Sequence, residues 1–236
     1  MRITAIEPQE KRPDRYSLHL DGRYALGLDG AAVVAAGLYV GMELSEADVE
    51  RLRQTEGERR LWDAALRFLA PRPRSRAEVR RRLLAPRRNR EAPAAEAVDH
   101  VLDRLQEQGL LDDQQFAAFW VENRDRFSPR GSRAIAQELR QRGVSRETVE
   151  EATTPELDEE RALAAGRQRL RSVASLDFAG FRAKLGPFLL RRGFSYEVAR
   201  EAVRRLWDET HEGMDAVAGD EDQDEDVSGD PSGDVW

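Results

Sequence analysis

A chain of 236 residues is long enough for one large or two smaller domains, and 40% hydrophobic with 35% charged residues is a soluble composition rich in charge. The absence of cysteine excludes disulfides and thiolate metal sites and makes a cytoplasmic address the default expectation. The net charge of −7 conceals a division: residues 209–236 hold eleven of the 45 acids and no Lys or Arg, so residues 1–208, with 34 acids against 38 bases, carry about +4.

In chain order, residues 1–55 predict a small α+β module. "YSLHLDGRYALGL" alternates Tyr16, Leu18, Leu20 and then Tyr24, Leu26, Leu28, with Asp21-Gly22 between the runs suiting a two-residue type I′ hairpin. "ITAIE" (residues 3–7) adds a third strand. A short helix then stops at Gly37, an extended piece follows, and Ser45 with Glu46 and Asp48 marks the next helix start. Beyond residue 55 the spacing is helical: Trp62, Leu66, Leu69; Val98, Val101, Leu102, Leu105; Ile135, Leu139; Leu185, Leu189; Val198, Ala202, Leu206. Pro71 and Pro73, Pro86 to Pro93, Gly109, Pro129 with Gly131, Gly143, Pro155 and Gly193 punctuate it into about nine helices. The N-terminus "MRITAIEPQEK" has no apolar core of a signal peptide, and no run of about 18 apolar residues predicts a membrane span.

The helices group in threes. "LRQRGVS" (139–145) recurs fifty positions on as "LLRRGFS" (189–195), and Ile135/Leu185, Glu147/Glu197 and Ala152/Ala202 align at the same offset; at an offset of fifty-six, Arg74, Val79 and Leu83 fall on Arg130, Ile135 and Leu139. The expected architecture is therefore mainly α: three tandem three-helix repeats (56–108, 109–154, 155–208) in an elongated array, after the α+β module (1–55) and before a disordered acidic tail (209–236). The tail is either a solubilising segment or an autoinhibitory strand that mimics nucleic acid. The repeated stretch itself reads as a helix corner: Gly143 and Gly193 in the left-handed conformation, Leu139 with Val144 and Leu189 with Phe194 in contact, and Ser145 and Ser195 capping the next helix. The same spacing around Gly109 pairs Leu105 with Leu110.

That reading leaves the arginines unexplained. The chain has 36 Arg and two Lys, and residues 67–93 hold ten Arg against Glu78 and Glu91. With Ser75 and Glu78 as a capping box and Val79 and Leu83 inward, Arg76, Arg80 and Arg82 face largely outward. Arg74 precedes that helix. Arg130, Arg133, Arg140 and Arg142 recur on the equivalent helix, and Arg182, Arg191 and Arg192 on the third. A basic strip on successive middle helices suits phosphates or an acidic protein groove, while any single arginine can equally be ordinary solvated surface. A helix-turn-helix repressor is disfavoured, because its recognition helix would carry Glu147, Glu150 and Glu151 against Arg146. His19, His100 and His211 lie in separate segments, no nucleotide-binding, metalloprotease or hydrolase motif occurs, and an enzyme, a cofactor or a metal is not expected. Asp112-Asp113 reads as helix capping over a metal pair, and Trp62, Phe116, Phe119 and Trp120 as packing over base-stacking platforms.

"PRSRAEVRRRLL", "VLDRLQEQGLLDDQQFAAFWVENRDRF", "GSRAIAQELRQRGVS" and "FLLRRGFSYEVAREAV", in that order, resemble the RecX regulatory family over about residues 58–208. The family is built from three tandem three-helix units, which agrees with the repeat found from spacing. The resemblance implies a modulator that binds in the groove of the RecA–DNA filament, restrains ATP hydrolysis, co-protease activity and strand exchange, and can also bind single- and double-stranded DNA. It implies no catalytic residues; a monomer without a membrane partner is expected. The acidic tail is not part of the family pattern, and the N-terminal module is longer than the shortest members need. The alternative is a helical nucleic-acid-binding module with no RecA partner.

Overall fold

The computed structural model describes residues 1–10, 12–86 and 92–218, with side chains as far as His211. Arg87, Arg88 and Arg90 of the basic stretch and residues 219–236 of the acidic tail lie outside the described residues. The chain divides into two compact units, residues 1–113 and 114–236.

The first unit opens with an antiparallel sheet of β1 (Ile3–Gln9), β2 (Arg12–Leu20) and β3 (Arg23–Asp29), in that order. Asp21 (φ 49°) and Gly22 (φ 78°) form the predicted two-residue turn with both central residues left-handed. The predicted alternation breaks once. Leu18 pairs with Leu26 but His19 pairs with Tyr24, so Ala25 is an extra residue in β3. The bulge keeps Leu26 and Leu28 in the core and turns Tyr24 out of it, leaving Tyr24 61% exposed. Helix α1 (Gly30–Ala35) ends at Gly37 (φ 58°), and helix α2 (Glu46–Leu69) starts where Ser45 and Asp48 form a reciprocal capping box. Helices α3 (Arg76–Leu84) and α4 (Ala95–Glu107) complete the unit.

The second unit contains α5 (Asp113–Phe127, whose first residue belongs to the first unit), α6 (Ser132–Gln141), α7 (Arg146–Ala152), α8 (Asp158–Arg167), α9 (Phe178–Arg191) and α10 (Tyr196–Ala218). Helices α2–α4, α5–α7 and α8–α10 are the three expected three-helix repeats. Each has its own apolar cluster, and the sheet has a fourth: Leu18, Leu28 and Val49; Val79, Leu83 and Leu102; Phe116, Ile135 and Leu139; Phe181, Leu185 and Leu206 are representative members.

Two expected boundaries are corrected. The division at 55/56 falls inside α2, which runs unbroken because one helix serves two cores: Val49 packs under the sheet, Leu61 and Ala65 pack against α3 and α4. Between them Glu56 is buried and held by Arg15 (2.5 Å) and Arg60 (2.8 Å). Likewise, the helix α10 continues ten residues past 208, so residues 209–218 are not part of a disordered tail. Local contacts hold this extension: Arg167 meets Glu209 at 2.9 Å, Thr210 Oγ1 donates to the Leu206 carbonyl at 2.6 Å, and the His211 ring stacks on Trp207 with centroids 3.5 Å apart.

The corner motif recurs as expected. Val144 N–H donates to the Leu139 carbonyl (3.2 Å) and Gly143 N–H to the Arg140 carbonyl (2.9 Å); Phe194 with Leu189 (3.4 Å) and Gly193 with Leu190 (3.0 Å) repeat both bonds. Ser145 and Ser195 then cap α7 and α10. The hydrogen bonds around Gly109 are the same, but Leu110 is exposed and Leu111 takes its place in the core, also bonded to the Leu105 carbonyl at 3.2 Å.

Candidate functional site

The predicted arginines separate into three kinds. Arg76 and Arg80 are bound within their own repeat: Arg76 to Asp103 (2.8 Å) and Gln106, Arg80 bidentately to Asp99 (2.7 and 3.1 Å). These pairs tie α3 to α4. They hold the Asp99 carboxyl below its ordinary pKa, chiefly through the hydrogen bond from Arg80. Arg133, Arg140, Arg182 and Arg191 are exposed, with no ion-pair partner among the described residues. Arg130, like Arg76 and Arg80, pairs within its own repeat, with Glu138, and Arg74, Arg82, Arg142 and Arg192 lie against aromatic rings.

Each repeat places two guanidiniums over one ring. Arg74 and Arg82 lie 4.3 and 6.0 Å from Phe68; Arg142 and Arg124 lie 3.7 and 4.6 Å from Trp120; Arg192 and Arg169 lie 4.8 and 4.9 Å from Phe188. Arg142 and Arg192 are the equivalent arginines of the two corner motifs. Arg104 lies over Trp62 as a further case. Trp62, Phe116 and Trp120 are packing residues, as expected, but Trp120 is also the seat of two arginines.

In the second unit these groups converge. Glu138 accepts from Trp120 Nε1 (2.7 Å), Arg124 Nε (2.7 Å) and Arg130 Nη1 (2.9 Å). Arg130 Nε is buried with no hydrogen-bond partner among the described residues. Arg192 donates to the Pro129 carbonyl at 2.9 Å. Its pKa is lowered from the guanidinium value by burial first, and then by Arg130, Arg169 and Arg124. Arg124 and Arg130 thus share the Glu138 carboxylate, Arg142 lies over the Trp120 ring beside it, and Arg192 feels the charges of Arg124, Arg130 and Arg169. An anion placed here relieves both the mutual repulsion and the unmatched Arg130 donor.

Backbone contacts fix this cluster. The Gly131 N–H donates to the Arg192 carbonyl (3.0 Å), and a Cβ on Gly131 would stand 2.4 Å from the Gly193 carbonyl oxygen. The second corner motif therefore docks on the N-terminus of α6, which brings Arg192 to Arg130. Asp158, buried at the start of α8, accepts from Ser132 N (2.9 Å) and Oγ (3.0 Å) and closes the same joint. Asp113 does the corresponding work in the first unit, accepting the Arg76 N–H at 2.7 Å. The expected capping role of Asp113 is thus exerted on α3, far away in sequence. Burial pushes the Asp113 carboxyl up from its ordinary pKa.

Spacing singled out Arg130, Arg142 and Arg192 but not Arg124, Arg169, Phe68, Phe188 or Glu138. The i, i+4 interval from Trp120 to Arg124 was a legible signal; nothing in the sequence connects Arg169 to Phe188. Helix α7 presents Glu147, Glu150 and Glu151, and its Arg146 is bonded to Glu150 at 2.7 Å, so it carries no free cation toward DNA.

The modules match family descriptions in chain order: the RecX N-terminal domain over residues 1–45, and the first, second and third RecX three-helix domains over 62–85, 112–152 and 157–203. A Regulatory protein RecX from Halalkalibacterium halodurans is 31% identical over 208 residues, 85% of this chain and 76% of that one. The chain belongs to the RecX family. RecX proteins from Lactobacillus johnsonii (29% over 208 residues, 86% and 74% of the two chains) and Listeria welshimeri (27% over 205 residues, 86% and 74%) are similar along the same span. A crystal structure of a regulatory protein RecX superposes with a TM-score of 0.61 at 26% identity, covering 84% of this chain and 97% of the other. A RecX from Lactobacillus salivarius, at 21% identity and TM-score 0.54, shares the fold. RecX relatives are named regulatory proteins rather than enzymes, which places this chain in a regulatory role. The N-terminal module is itself a RecX domain, and the acidic tail lies beyond the last matched residue. No helix among the described residues is long and apolar enough to cross a membrane.

Proposed function

We propose that this RecX-family chain acts as a cytoplasmic monomer on the RecA–DNA filament and restrains its ATP hydrolysis, co-protease activity and strand exchange in recombination, repair and the SOS response. The observation that carries the reading is the clustering of Arg124, Arg130, Arg169 and Arg192 at the joint of the second and third repeats, with Arg142 over Trp120 beside them, a cationic surface on a frame fixed by backbone contacts. Such a surface suits an acidic protein groove or filament phosphate. Arg74 and Arg82 repeat the arrangement in the first unit, while Arg76 and Arg80, being tied to Asp103 and Asp99, serve to hold α3 on α4. ATP hydrolysis by RecA on single-stranded DNA slows on substoichiometric addition of the protein, and Arg142→Gln raises the half-inhibitory concentration about tenfold. An unchanged rate at every ratio would sink the reading.

A second reading, a DNA-binding module with no RecA partner, is favoured by Arg133, Arg140, Arg182 and Arg191, which are exposed and open to phosphate. Slowing only at ratios that coat the DNA selects it.

A further inference from the structure

The first unit has a polar cleft of about 570 Å³ between the sheet and α2, lined by Gln9, Arg12, Arg15, Tyr24, Arg60, Asp63 and Arg67. Four elements build it, with Gln9 coming from β1. Arg12 and Arg15 come from β2. Arg60, Asp63 and Arg67 follow Glu56 at helical spacing on one stripe of α2. Tyr24 comes from β3, and it is there because the bulge at Ala25 turned it off the core face.

The floor is rigid. Arg15 Nη2 and Arg60 Nη2 each donate to the Gly27 carbonyl at 2.9 Å, and both bind the buried Glu56. Gln9 and Tyr24 close over Gly27, where a Cβ would stand 2.8 Å from Gln9 Nε2 and 3.4 Å from the Tyr24 hydroxyl. The acids are already committed: Glu56 to Arg15 and Arg60, Asp63 and Asp29 to Arg59. Arg12 and Arg67 are left exposed without an ion-pair partner among the described residues, beside an exposed aromatic ring. Two uncompensated guanidiniums and a ring at the mouth of a polar cleft are what a phosphate attached to a planar base requires. The polar floor offers nothing to an apolar ligand.

We infer that this cleft binds a nucleotide unit, with Arg12 and Arg67 on the phosphate and Tyr24 against the base, either as a free nucleotide or as part of a single strand. The inference is independent of the RecA reading, because it concerns the first unit and is read without RecA.

The test uses the full chain, a labelled oligodeoxythymidylate of eight residues, and fluorescence anisotropy. The variant Arg12→Gln/Tyr24→Ala/Arg67→Gln changes exposed side chains, so its thermal midpoint should match the wild type. It should bind the oligonucleotide at least fivefold more weakly, with the slope of log affinity against log salt reduced by about 0.7 for the one phosphate. Tyr24→Phe should bind like wild type and Tyr24→Ala should not. Thymidine monophosphate that competes at micromolar concentration identifies a free nucleotide as the source; a strand that is not displaced by it identifies single-stranded DNA. Equal affinity of the triple variant and wild type, no binding by wild type, or equal displacement by a poly-glutamate peptide overturns the inference, the last because the cleft would then read charge alone.

Discussion

Gly193 answers to two constraints, and its partner Gly143 shares the first of them. Both sit at positive φ (89° and 80°) where a helix turns, and a side chain there costs about 1–2 kcal/mol. A Cβ on Gly193 would also stand 2.5 Å from the Ala134 Cβ. Gly109, at φ 67° with nothing near its missing Cβ, isolates the backbone part. Gly109→Ala should therefore cost about 1–2 kcal/mol, and Gly193→Ala a further 1–3 kcal/mol of overpacking. Thermal unfolding of the two variants, in which about 1 kcal/mol moves the midpoint by 2–4 °C, checks the difference; equal shifts would mean that the Gly193 corner does not bear on α6. Glu56 is the other residue with more than a local role. Glu56→Ala leaves the Arg15 guanidinium buried without its carboxylate, and roughly 3–5 kcal/mol should be lost.

Among the elements, α3 and α6 share a device. The first N–H of each is satisfied by an aspartate from the start of a later helix, Asp113 for α3 and Asp158 for α6. Asp158→Ala strips Ser132 of its acceptor and Arg161 of one partner, and should lower stability by about 2–4 kcal/mol in denaturant unfolding. Asp113 differs in pH response. Burial raises its carboxyl pKa, so its contribution is complete below the unfolded value of about 4 and declines as pH rises through the folded one. Asp113→Asn keeps an acceptor for Arg76 without a titrating group. Its stability should therefore fall less than the wild type's as pH rises above about 4, which melting across that range would show.

For the molecule as a whole, the separation of charge matters more than its sum. Residues 219–236 contain eight acids and no base, and without them the net charge passes from −7 to about +1. Deleting them should speed association with single-stranded DNA at low salt, where long-range repulsion acts across about 30 Å. If the tail only repels and solubilises, the affinities with and without it converge at physiological salt. A gain that persists there, with a steeper salt dependence, identifies a segment that covers the arginines. Truncation should be made after Ala218 rather than after Asp208, because the intervening residues are helical.

The periodicity of apolar residues, the turn chemistry of Asp21-Gly22 and the Leu–Gly–apolar–Ser corners were sufficient to read the sheet and the three-helix repeats, since each depends on neighbours within a few positions. The order of those pieces was enough to recognise the family. The sequence also carried the positions of Arg130, Arg142 and Arg192, but not which arginines stand unbalanced. Tertiary structure decided that: Arg76 and Arg80 are neutralised by aspartates from another helix, whereas Arg192 is brought to Arg130 by the backbone hydrogen bond from the Gly131 N–H to the Arg192 carbonyl, sixty-one residues apart. It also decided that Tyr24 leaves the core, through one extra residue in a strand. Local pattern sets how each segment folds; whether a charge is matched or free depends on partners distant in the chain, which spacing along a single segment does not encode.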